Sequence, residues 1–414
     1  MRIIVQKFGG TSVSTSQRRQ QVVDKIVKAK NAGYTPVVVV SAMGRAGEPY
    51  ATDTLISLTK DVNRDVSARE LDLIMCCGEL ISGVVVTATL QGAGIDAVML
   101  SGGQAGVLTD NNFGNARLLK VDPSHILQYA QRGQTVVIAG FQGMTADGDL
   151  TTLGRGGSDT TASAIGVALN AEFVEIYTDV EGVMTADPRI VSDAKIIDVL
   201  SYNEVCHLAH QGAKVIHPRA VEIAMQKNIP LVVRSTFSDA PGTLITNITE
   251  ELDGTNIADR PVAGVTQVPG IAQLKVGTHK FQDKPDRNLQ VFKAMADEGI
   301  SIDLINVHVN WVFFTVKEDV LDKAEKILDK LGYEVEISRD CAKVSIVGGG
   351  IHELPGVMAR VVEALSAAKV SILQTVDSHN TISCLIPQAN MAAAVKALHE
   401  QFGLHNLSND VRGK

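Results

Sequence analysis

Up to about residue 240 the chain repeats one pattern, and that pattern constrains its fold more than any other feature. Short, nearly all-apolar, mostly β-branched runs recur: Arg2–Val5, Val37–Val40, Ala97–Leu100, Val136–Ala139, Phe173–Tyr177 and Leu231–Val233. Strands with no polar face are strands buried on both sides, as in a parallel sheet covered by helices. Helical periodicity lies between the runs. In Gln20–Ala32, Val23, Ile26, Val27 and Lys30 fall at helix spacing, and Gly33 ends the stretch. The expected class is therefore α/β with helices on both faces of a mainly parallel sheet. Most runs are followed directly by small or hydroxyl residues: Gly9-Gly10, Ser41, Ser101-Gly102-Gly103, Gly140 and Thr178. Ligands of such sheets sit beyond the carboxyl ends of the strands, so these residues stand where phosphates can approach the backbone.

The pattern changes at Thr246–Gly264, which is polar and weakly patterned and is read as a linker. Beyond it lies an internal repeat. Ile271–Leu331 overlays Cys341–Gln401 without a gap at an offset of about 70 residues. Pro285 meets Pro355, Val291 meets Val361, Ser301-Ile302 meets Ser371-Ile372, and Asn310 meets Asn380. Each unit reads strand, helix, strand, strand, helix, a ferredoxin-like arrangement. Such units are expected to pair with each other or with a second chain.

Composition excludes several classes. A formal net charge of -8 argues against a general nucleic-acid binder. The N-terminus lacks the pattern of a signal peptide, and no long uninterrupted apolar window suggests a membrane span. The 5 cysteines include no CxxC pair. They read as small core residues in a reduced cytoplasm.

Four segments carry the chemistry. Lys7-Phe8-Gly9-Gly10-Thr11-Ser12 follows the first strand and offers a cation plus glycine backbone to an anion. Its spacing is not that of a P-loop, and a plain glycine turn is the alternative. In Gly154-Arg155-Gly156-Gly157-Ser158-Asp159, Arg155 can clamp a carboxylate. Asp159 opens the helix Thr161–Leu169, as a functional acid able to orient nearby lysines, with a plain N-cap as the alternative. Thr178–Arg189 is rich in hydroxyl, acid and basic groups, suiting a nucleotide or an ordinary loop equally. Lys214 precedes His217-Pro218-Arg219, where His217 reads as structural. Glu79, within the apolar stretch Leu71–Ser82, reads on spacing alone as a solvated helix edge.

In this order and combination the segments resemble the aspartate kinase family of the amino acid kinase superfamily, over essentially the whole chain. The stretch Met43-Gly44-Arg45-Ala46-Gly47-Glu48-Pro49-Tyr50-Ala51-Thr52-Asp53 is similar to the diaminopimelate-sensitive type found in Bacillus-like bacteria. The resemblance implies a three-layer αβα sandwich with a mainly parallel sheet, followed by two ferredoxin-like βαββαβ (ACT) modules. The implied boundaries are residues 1–245, linker 246–263, and modules 264–335 and 336–414, with a last strand returning to complete the first module. The implied reaction is phosphorylation of the aspartate side chain by Mg-ATP, the entry to lysine, threonine and methionine synthesis under amino-acid feedback.

Roles follow by matched position. Lys7 and Lys214 would stabilise the transferring phosphoryl group, with Asp159 holding the lysines. Arg155, Gly156, Gly157, Glu79, Ser41 and Thr52 would bind L-aspartate, with Glu79 on its ammonium. Lys7, Gly9, Gly10, Thr178, Asp179, Met184, Arg189 and Lys214 would contact ATP. Met184 stands where relatives often carry Tyr or Phe. Asp303, Asn306, Asp377 and Asn380 would bind an effector: lysine, threonine or diaminopimelate. No protein-bound metal, no nucleic acid and no membrane is implied, and the modules would join a homo-oligomer.

Overall fold

The computed structural model describes residues 1–213, 215–247, 261–281, 286–351 and 354–406. Most of the expected linker and Lys214 lie outside the described residues.

All six apolar runs enter one eight-stranded sheet. Its order is Val199–Ser201, Thr243–Thr246, Leu231–Ser235, Phe173–Thr178, Ile3–Phe8, Thr35–Val40, Thr135–Ala139 and Ala97–Leu100. Every pairing is parallel except Leu231–Ser235 with Thr243–Thr246. Alternate residues of each run face opposite ways. Val38 and Val40 enter a core with Val22, Ile26, Val86 and Leu90. Val37 and Val39 enter a core with Ile126, Ala162 and Ile165. Both faces are thus covered, which is why the runs contain no polar alternation.

A second, four-stranded sheet joins Leu118–Val121, Val107–Thr109, Gln142–Met144 and Leu150–Thr152. Its strands are only three or four residues long, too short for periodicity to reveal them. The helix Ala68–Gly92 lies between this sheet and the large one. By length and composition it is apolar enough to cross a membrane. Its buried residues nevertheless include the polar Asp72, Glu79, Ser82 and Thr87, enclosed by the rest of the chain.

The C-terminal half forms one six-stranded antiparallel sheet in the order Asp303–Val307, Trp311–Lys317, Gly264–Gly277, Glu334–Val347, Thr381–Pro387 and Gln374–Asp377. Its two central strands are each 14 residues long and run antiparallel along their whole length, broken by register shifts around Val268–Gln273. Each serves both repeats. Ile271–Gly277 opens the first unit, and Glu334–Ser338 closes it. Cys341–Val347 opens the second, and Gly264–Val268, from before the first unit, closes that one. The closing strand of the second unit thus arrives from upstream. Among the described residues no C-terminal strand returns to the first unit, and those after Gln401 include the short turn Leu404–Asn406. Two half-sheets that each lack an edge are completed by exchanging strands.

The halves are joined by shared core. Ala186 and Val191, from the loop after Phe173–Thr178, pack with Val262, Val265, Val344 and Leu398 of the C-terminal half.

Candidate active site

The chain runs from strand Ile3–Phe8 to Thr35–Val40 on one side, while Phe173–Thr178 pairs on the other. Strand order therefore diverges at Ile3–Phe8, and a crevice is expected beyond its carboxyl end. A cavity of about 700 Å³ opens there, lined by Lys7, Ser41, Thr52, Glu79, Arg155 and Asp159 among others. Gly10, Gly156 and Gly157 also line it.

Lys7 and Asp159 form an ion pair at 2.6 Å, with both side chains largely buried. Lys7 comes from the strand and Asp159 from the first turn of the helix Gly157–Ala168. Asp159 does not cap that helix, which rules out the plain N-cap alternative. The cap position is Gly156, at φ 67°, and the carboxylate of Asp159 is turned to Lys7 instead. A side chain at Gly156 would put its Cβ 2.2 Å from Cβ of His217, so glycine is required by both space and backbone conformation.

Glu79 corrects the expectation from spacing alone. It is 2% exposed, not a solvated edge. Gly78 lets its helix approach so closely that an added Cβ would meet the Ala42 Cβ at 2.9 Å. At that range the Ala42 amide donates to Glu79 Oε1 at 3.1 Å. Oε2 is buried with no hydrogen-bond partner among the described residues. Burial outweighs the amide contact and pushes the Glu79 pKa up to about 8. A buried carboxylate with a free oxygen in a cavity wall is a receptor for a cation.

Asp72 lies two turns earlier on the same helix and is fully buried. It accepts from the amides of Gly114 and Thr152 and from the Thr152 hydroxyl, at 2.8 to 3.0 Å. It thereby fixes two further stretches of the cavity wall. Arg219 performs a similar task, donating to the carbonyls of Leu153 at 2.7 Å and Ala116 at 2.8 Å. His217 caps the helix Pro218–Met225, its Nδ1 accepting from the Arg219 amide at 3.3 Å. Burial lowers its pKa, so it stays neutral there. Asp72 was absent from the sequence reading. Two acids seven residues apart in an apolar helix are the signal that would have found it.

Of the residues expected at ATP, Lys7 and Gly10 line this cavity, Lys214 lies outside the described residues, and the others lie outside the cavity. Gly9 sits beside Phe173–Thr178, its amide donating to the Tyr177 carbonyl at 3.3 Å. Asp179 is paired with Arg45 at 2.8 Å. Arg189 is 88% exposed and folds back on Asp187 at 2.7 Å. Met184 bridges to Ile196 in a backbone pairing. Gly9, Thr178, Asp179, Met184 and Arg189 do not line the cavity that holds Lys7 and Glu79.

Of the four residues expected to bind an effector, Asp303 and Asn306 lie on one edge strand of the C-terminal sheet and Asp377 on the other, and these strands touch, the Gln374 side chain donating to the Leu304 carbonyl. Asp303 forms an ion pair with Lys343. Burial raises the Asp303 pKa, but the bond and charge of Lys343 outweigh it and the net shift is downward. The Asn380 carbonyl accepts from the Gly348 amide at 3.0 Å. No described hydrogen bond joins the four.

Residues 2–235 match the amino acid kinase family, and residues 336–400 match an ACT domain. Aspartokinase 1 of Bacillus subtilis is 48% identical, with 98% of this chain and 100% of that protein covered. The chain belongs to the aspartokinase family. An aspartokinase of Geobacillus stearothermophilus is 41% identical over the full length of both chains. Among solved structures, Escherichia coli aspartokinase III in complex with aspartate and ADP (R-state) is 25% identical, with a TM-score of 0.74 over 97% of this chain and 99% of that one. The same enzyme with lysine and aspartate (T-state) is 26% identical, with a TM-score of 0.78 over 97% and 99%. The fold is thus that of the family: an amino acid kinase domain with a mainly parallel sheet, followed by ACT architecture.

Proposed function

We infer that this aspartokinase-family chain transfers the γ-phosphoryl group of ATP to the side-chain carboxylate of L-aspartate, giving 4-phospho-L-aspartate and ADP. The observation that carries the reading is the shared cavity: the Lys7–Asp159 pair, the exposed Arg155 and the free oxygen of Glu79 face one space. An α-amino acid with two carboxylates matches that set. Glu79 takes the ammonium, Arg155 a carboxylate in a bidentate fork, and Ser41, Thr52, Gly156 and Gly157 complete the wall.

The acceptor oxygen is ionised near neutral pH, so no general base is needed. It attacks the γ-phosphorus in line, the bond to the β–γ bridging oxygen breaks, and that oxygen leaves with its electron pair as ADP. Lys7, held in place by Asp159, follows the charge on the equatorial oxygens. Lys214 supplies the second cation. The nucleotide lies over Gly9 and Gly10 toward Thr178, Asp179, Met184 and Arg189. The carboxylates nearest the phosphates, Asp159 and Asp179, are already paired with Lys7 and Arg45. That fits a Mg²⁺ ion held by phosphate oxygens and water, where it would neutralise phosphate charge. The protein works in the cytoplasm, where its five cysteines stay unpaired.

Measuring ADP release with L-aspartate, glutamate, N-acetylglutamate and uridylate in parallel tests the reading. Aspartate should dominate. Preference for another acceptor would keep the kinase and discard this substrate, and no turnover with any acceptor would leave only an amino-acid sensor. The ACT pair binds lysine, threonine or diaminopimelate and joins a second copy of the chain. If none of the three, at millimolar levels, alters either activity or melting temperature, the regulatory reading fails.

A further inference from the structure

Outside the active site, three potential metal ligands from two distant parts of the chain converge. Asp193 belongs to the loop that follows strand Phe173–Thr178 in the kinase half. His399 lies in the helix Met391–Gln401, and His405 in the turn Leu404–Asn406, both at the end of the second ACT unit. One candidate ligand atom from each falls within 4.8 Å of the others. The two imidazole centroids are 6.3 Å apart.

His399 is 2% exposed, which is unusual for a histidine on the outer helix of a module. Its Nε2 lies 3.0 Å from the Thr185 hydroxyl, which also accepts the Lys195 amide at 3.0 Å. The hydroxyl thus fixes the ring orientation, as hydrogen-bond partners of metal-bound imidazoles do. Thr185 and Asp193 lie on one loop, so that loop supplies both a ligand and the group that orients another.

We propose that Asp193, His399 and His405 form a divalent transition-metal site that fastens the nucleotide-side loop of the kinase half to the C-terminal helix of the ACT half. Two imidazoles and one carboxylate form a nitrogen-rich set that selects Zn²⁺, Co²⁺ or Ni²⁺ over Mg²⁺. With three protein ligands, a water completes a tetrahedral shell. The approach needed is small, since ligands around such an ion stand closer together than 4.8 Å and both His405 and Asp193 lie at least partly exposed. The site is separate from the phosphoryl-transfer cavity, and the proposal does not depend on the acceptor being aspartate.

The test uses the full-length protein, stripped with chelator and titrated with CoCl₂ while its visible ligand-field absorption is followed. Wild type should bind one equivalent, displaceable by ZnCl₂, and ZnCl₂ should raise its melting temperature. His405→Ala and Asp193→Asn change accessible side chains, so folding is preserved. Each should weaken binding at least about tenfold, the scale of losing even a ligand's hydrogen-bond partner. Thr185→Val should weaken it as well. Two results overturn the proposal: no saturable binding by wild type, or equal binding by wild type, His405→Ala and Asp193→Asn. The second outcome would assign the metal to other groups, the cysteines first among them.

Discussion

The proposed acceptor side of the candidate active site and its proposed nucleotide side are built from different materials. The acceptor wall stands on regular elements: Lys7 on a central strand, Asp159 in the first turn of a buried helix, and Glu79 inside a 25-residue helix. Asp72 and Arg219 tie the intervening loops to that frame. The wall proposed for the nucleotide is a long loop whose Arg189 pairs with Asp187 and whose Asp179 reaches across to Arg45 of the cavity-lining segment. Its far side belongs to the C-terminal half. The Val265 amide donates to the Thr185 carbonyl at 2.7 Å, Gln267 donates to Asp187 at 3.1 Å, and Ala186 and Val191 are buried in the ACT core. A rigid wall fixes what is phosphorylated. A wall shared with a regulatory module is where an effector bound far away can act, because moving the ACT core moves the loop.

The largest expected effect tests the acceptor side. Lys7→Ala should lower kcat by at least about a hundredfold in a folded protein, the loss of one preorganised electrostatic group. Near-normal turnover would take Lys7 out of the mechanism.

Glu79→Gln keeps shape and removes charge. It should raise KM for aspartate about tenfold or more, as expected for a lost charge-assisted contact, with a much smaller change in KM for ATP. The pH dependence gives a second reading. Folded Glu79 keeps its proton up to about 8, against an ordinary value of 4.5. In the ligand-free enzyme its contribution to stability is therefore complete below 4.5 and is lost as pH rises through about 8. Aspartate binding needs the ionised form, so wild-type KM for aspartate should fall as pH rises toward that value. Both slopes should flatten in Glu79→Gln, and a variant with unchanged slopes would show that another group titrates.

The smallest effect tests the shared wall. Gln267→Leu removes a hydrogen bond to Asp187 from outside the site. It should raise KM for ATP roughly fivefold, the scale of one such bond, and leave KM for aspartate unchanged. Equal shifts in both constants would mean that the two walls respond as one body.

The local signals account for how far the residues could be read in advance. Lys7, Gly9-Gly10 and Ser41 follow apolar runs, and a strand buried on both faces has little freedom except to deliver its next residue to the sheet's edge. Gly156 and Gly157 belong to a rare cluster whose glycines are each forced by close packing. Spacing alone places Glu79 at a solvated edge, because spacing within a helix does not reveal what lies opposite; the family resemblance placed it in the pocket. Local sequence leaves Asp159 open between cap and ion-pair partner, because an acid at a helix start can serve as either. The small four-stranded sheet left no signal, since strands of three or four residues carry less than two periods of alternation.

By itself the sequence determined the α/β class, the six buried strands, the internal repeat and the residues gathered at the strand ends. These depend on local periodicity and on turn chemistry, which act over a few residues. Only the tertiary structure decided the burial of Glu79, the exchange of strands between the two ACT units and the sharing of the loop after Phe173–Thr178 by both halves. Each of these requires surfaces distant in sequence to exclude water from one another. Burial and charge pairing arise from that exclusion and not from any short stretch of chain.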